Sequence, residues 1–77
     1  LDQLELLKFY DAKEKALIES HGQDIEYIKQ HMQEVEQFAN PVAQESRRQH
    51  INDLRKQMRE AAERRIVLAK LMHQLTK

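Results

Sequence analysis

Seventy-seven residues carry thirteen acidic and thirteen basic side chains, a formal net charge of zero, with one glycine, one proline and no cysteine. That length allows one small domain, and the lack of cysteine excludes both a disulfide framework and a thiolate metal site. A third of the residues are charged and helix breakers are scarce, which disfavours a sheet; no apolar run approaches the ~18 residues of a membrane span, and no signal-peptide pattern occurs.

The first predicted element is a long helix from Leu1 to about Ala39. Leu4, Leu7, Ile18, Ile25, Ile28, Met32, Val35 and Ala39 fall on one heptad seam. Ser20-His21-Gly22 interrupts it, since glycine costs ~1 kcal/mol in a helix interior relative to alanine. A break there would give three helices of unequal length. The alternative is one continuous helix with a local irregularity, because the spacing of Glu14, Leu17, His21 and Ile25 resembles a stutter. Asp11 and Glu14 also stand on the seam, where an apolar side chain is expected.

The turn comes next. Asn40 is a favourable N-cap and Pro41 suits the first helical position, where its missing N–H costs nothing. A proline also turns the residue before it away from helical geometry, so the first helix should end near Ala39. Ser46-Arg47-Arg48-Gln49 has capping-box spacing and offers a second, later start. The second predicted helix has Ile51, Leu54, Met58, Ala61, Leu68, Met72 and Leu75 on its seam, interrupted by Arg65.

Folding the chain at Asn40-Pro41 pairs Met32 with Ile51, Ile28 with Leu54, Ile25 with Met58 and Leu7 with Leu75, so paired indices add to 82 or 83. In that register Arg65 faces Ile18, within a turn of Glu14, and an ion pair inside the hairpin is expected. Residues 1–39 hold nine acidic residues and four lysines; residues 40–77 hold four acidic and nine basic residues. The balances of −5 and +5 favour pairing the two helices with each other. The predicted fold is therefore all-α, an antiparallel, coiled-coil-like two-helix hairpin occupying 1–77 as a single domain. A chain that opens on Leu1 and stops mid-pattern at Lys77 is expected to be a piece of a longer protein.

No catalysis is expected. His21, His31, His50 and His73 lack the Glu-x-x-His and HExxH spacings of metal sites, and one glycine cannot build a phosphate loop. A thin hairpin has no pocket to shield a reacting group, so neither cofactor nor metal is expected. The open end is too apolar for two helices alone. A two-helix seam uses only its a and d positions, which leaves Leu6, Phe9, Tyr10, Ile66, Val67 and Leu71 to water, and an exposed patch of that kind marks an interface. The expected function is a protein–protein interaction or assembly module, binding a partner protein or a second copy in a four-helix bundle. The alternative is a nucleic-acid-binding helix using Arg47, Arg48, Arg55, Lys56 and Arg59, with Arg64 and Arg65 extending the cluster. Zero net charge and the lack of interleaved aromatics weigh against it. A cytoplasmic location accompanies both readings.

Overall fold

The computed structural model describes residues 2–35 and 41–77, with side chains described for 2–32 and 41–77. Two antiparallel α-helices, α1 (Gln3–Val35) and α2 (Pro41–Leu75), pack along their length into a rod of 57 × 15 × 15 Å. Pro41 opens α2 as expected. The expected ends at Ala39 and Asn40 lie outside the described residues, as does Leu1. Ser46 lies inside α2, so the later start is not used.

The ends of the helices have their own chemistry. Asp2 caps α1: its Oδ1 accepts the Glu5 backbone N–H at 2.8 Å and its carbonyl accepts that of Leu6 at 3.0 Å. This satisfies donors that the first turn would otherwise leave unpaired. At the other end, the Thr76 hydroxyl donates to the carbonyls of Met72 and His73, at 3.2 and 3.1 Å.

α1 runs unbroken through Gly22, so neither the three-helix alternative nor the stutter occurs. Among the described residues of α1, Leu4, Leu7, Asp11, Glu14, Ile18, His21, Gly22, Ile25, Ile28 and Met32 are partly or fully buried. Apart from Gly22, their spacing alternates three and four without interruption, the mark of an uninterrupted heptad seam. Ile18 stands on the seam as expected, and Leu17 of the stutter spacing is exposed. On α2 the same alternation runs through Gln44, Arg47, Ile51, Leu54, Met58, Ala61, Arg65, Leu68 and Met72. Charged and polar residues thus belong to the repeat; they do not interrupt it.

The register differs from the one that apolar matches suggest. Arg65 bonds Asp11, Arg64 bonds Glu14, and a Cβ on Gly22 would touch Met58 at 3.7 Å; these index pairs add to 76, 78 and 80. A value of 79 sets the seam residues from Leu7 to Met32 level with those from Met72 to Arg47: Ile28 with Ile51, Ile25 with Leu54, His21 with Met58, Ile18 with Ala61, Glu14 with Arg65. Each level then joins an a position to a d position. Matching apolar residues alone discounts the charged levels and slides the helices by about half a heptad.

The core sits in the half of the rod nearer the turn. Ile25, Ile51 and Leu54 are buried there, with Ile28, Met32 and Met58 packed against them. Each such side chain contributes roughly 1.5–3 kcal/mol when fully buried. Ala61, level with Ile18, is fully buried. Beyond it the levels of Glu14 and Asp11 form a polar belt, and past that belt Leu4, Leu7, Leu68 and Met72 are only half-buried.

Candidate interaction surface

A heptad helix carries two flanks beside its seam, one made of g and c positions and the other of e and b. In this antiparallel pair like flanks adjoin. Tyr27 and His31 share a hollow with Ser46 and His50 on the first flank, and Lys29 shares one with Arg48 and Arg55 on the second. This division sorts every residue predicted to lie in a site.

All six predicted contact residues are exposed, but they do not form one patch. Leu6 and Tyr10 of α1 lie on the first flank with Val67 and Leu71 of α2. Leu17 joins them, one heptad beyond Tyr10, although it is not among the six predicted contact residues. Phe9 points outward from α1, its ring 6.1 Å from that of Tyr10 and tilted by 59°, with the Lys13 ammonium 5.3 Å from its centroid. That cation–π contact covers one ring face. Ile66 lies on the opposite flank, lining a shallow hollow with Ala62 and Ala69.

The reason Leu17 is outside the seam is visible in its neighbours. Ile18 is seven residues from Asp11 and from Ile25, so it continues the a row, whereas Leu17 lies ~100° away around the helix. Nearer the turn the same flank becomes polar. Tyr27 stacks parallel on His31 with centroids 6.3 Å apart, and Asp24, Asp53, Gln57 and Glu60 are exposed.

The polar belt lies beside this flank, with Leu17 on its core side and Leu6 on its open side. Arg64 donates from Nε and Nη2 to the two oxygens of Glu14, both at 2.9 Å. Arg65 makes the same two-pronged contact with Asp11, at 2.9 and 3.3 Å. Matched forks of this kind are the strong, directional form of ion pair. The expected intra-hairpin ion pair is present, but Arg65 chooses Asp11 and leaves Glu14 to Arg64. The arginine forks hold the carboxyls of Asp11 and Glu14 below their ordinary 3.8 and 4.5, chiefly by hydrogen bonding and against partial desolvation.

The basic cluster of α2 is dispersed. Arg64 and Arg65 are engaged in the belt, Arg47 stands on the seam and Lys56 points outward. Arg48, Arg55 and Arg59 alone share a stripe, on the second flank. Of the histidines, His21 is the one in the seam, and neither ring nitrogen has a hydrogen-bond partner. Among the described residues no three His, Asp or Glu side chains are grouped to hold a metal ion, and no helix is long and apolar enough to cross a membrane. No protein-family model matches the chain, nor does any curated protein or solved structure.

Proposed function

We propose that the hairpin is a protein–protein interaction and assembly module, engaged through the first flank at its open end by a second copy or a partner protein. The observation that carries this is the exposure of Leu6, Tyr10, Leu17, Val67 and Leu71 side by side on one flank, next to a seam that is itself only half-buried. Covering that flank removes apolar surface from water, at ~25 cal/mol per Å², and adds to the burial of the half-buried Leu7 beside it. The four buried residues among those described are a small core, so association supplies stability that the hairpin alone lacks. The reading assigns no catalytic step, since a body 15 Å across has no interior in which to shield a reacting group.

Light scattering beside circular dichroism tests it, on the wild type and on Leu6→Gln/Tyr10→Gln/Leu71→Gln. The wild type should self-associate or capture a partner and the triple variant should not, with helix content largely kept because the seam is untouched. A wild-type chain that stays monomeric and stable, binds no protein and is indifferent to the triple change would sink the proposal.

A further inference from the structure

The second flank carries a different surface, nearer the turn and independent of the open-end reading. A hollow of about 580 Å³ lies between Lys29 of α1 and Arg48 and Arg55 of α2, over a floor that includes Met32 and Ile51, with Asn52 at the rim. Arg59 continues the basic stripe one turn beyond Arg55. Among the described residues Lys29 and Arg55 have no carboxylate within ion-pair distance, whereas Arg64 and Arg65 are each matched to one. Arg48 has only Glu45 on its own helix at 3.8 Å, both side chains being mostly exposed. Among the described residues the remaining acid on this part of the flank is Glu26, one turn before Lys29.

We propose that this hollow is a docking site for an acidic amphipathic helix of a partner protein. Arg48 and Arg55 are two turns apart, about 10 Å along α2. Carboxylates seven residues apart on a facing helix repeat at the same distance, so both pairs form in one register. Lys29, roughly level with the midpoint between them, reaches the same helix from the other side. An apolar side chain placed between the two carboxylates meets Met32 and Ile51. A positive rim around an apolar floor selects a partner by charge sign and then by fit. A nucleic-acid strand fits less well, because no aromatic side chain lines the hollow to stack a base.

The probe is a labelled synthetic helical peptide with two glutamates seven residues apart and a leucine between them, followed by fluorescence anisotropy at about 50 mM salt, where exposed charges are weakly screened. Saturable binding is expected. Lys29→Glu/Arg55→Glu should weaken it by about tenfold or more, as loss of two charge pairs requires. Lys56→Glu/Lys70→Glu makes the same change of net charge away from the hollow and should leave affinity within about threefold. Circular dichroism checks that each variant keeps its helices; if the first does not, Lys29→Gln/Arg55→Gln replaces it with the same expectation. The proposal is overturned by absence of saturable binding, by equal weakening in both charge variants, or by equal binding of a peptide with alanine in place of leucine. It is also overturned if an oligonucleotide of equal charge binds more tightly than the peptide.

Discussion

Arg64 and Arg65 are adjacent in the chain, yet they project about 100° apart and reach two carboxylates that stand on the same face of α1. Both carboxyls have folded pKa values depressed by those forks, so their contribution to stability is fully present above the unfolded values of 3.8 and 4.5. It is lost as pH falls below those values and through the folded ones. Thermal melts between pH 7 and pH 2.5 should therefore show stability falling below about pH 4.5. Asp11→Asn/Glu14→Gln should be less stable than wild type at pH 7 and should lose less on acidification. Equal acid sensitivity in the two proteins would show that the forks do not link pH to folding. His21 poses the opposite case, a polar ring in the seam with two buried nitrogens and no partner. Leaving a buried polar group unsatisfied costs roughly 1–3 kcal/mol. His21→Leu should accordingly raise the denaturation midpoint, and an unchanged or lower midpoint would mean that the ring makes compensating contacts.

At the scale of the helices, the sequence is most legible where one cause acts alone. Pro41 at the first helical position and the long heptad rows follow from local sterics and periodicity, and both appear in the structure. The Asp2 cap was equally legible, from an aspartate three residues before Glu5, but went unread. Gly22 was misleading because its intrinsic cost is local, whereas the seam on either side of it is continuous. Helix packing on both sides outweighs one unfavourable residue. The register was not legible from apolar residues alone, because Asp11, Glu14 and Arg65 occupy levels that a hydrophobic count discards. Gly22→Ala tests the continuity of α1 directly. The glycine has no positive φ, and an added Cβ would make an ordinary contact with Met58. The change should stabilise the hairpin by roughly 0.5–1 kcal/mol, read from urea denaturation. Destabilisation would reveal a hinge that the packed helix does not display.

The whole rod is asymmetric along its axis: a core near the turn, a polar belt, then an open end whose apolar residues spill from the seam onto a flank. The asymmetry couples register to surface chemistry. Sliding one helix by half a heptad would part both arginine forks from their carboxylates, while the aliphatic residues of the core could still find neighbours. Apolar contacts therefore favour pairing without choosing the alignment, and the charged belt chooses it, a specifying role open to partly buried ion pairs. In that alignment Lys29 sits level with the gap between Arg48 and Arg55. Cysteine pairs distinguish the two alignments. Ile18→Cys with Ala61→Cys places thiols on one level of the observed register, and Ile18→Cys with Arg65→Cys places them on one level of the alternative. The two targets are four residues, about 6 Å, apart along α2. A disulfide requires Cβ atoms about 3.5–4.5 Å apart. Under mild oxidation the first pair should close faster, as measured by gel mobility without reductant. Raising salt or lowering pH should erode its advantage as the belt loosens. Preferential closure of the Ile18–Arg65 pair at neutral pH would mean that apolar matching, not the charged belt, sets the register.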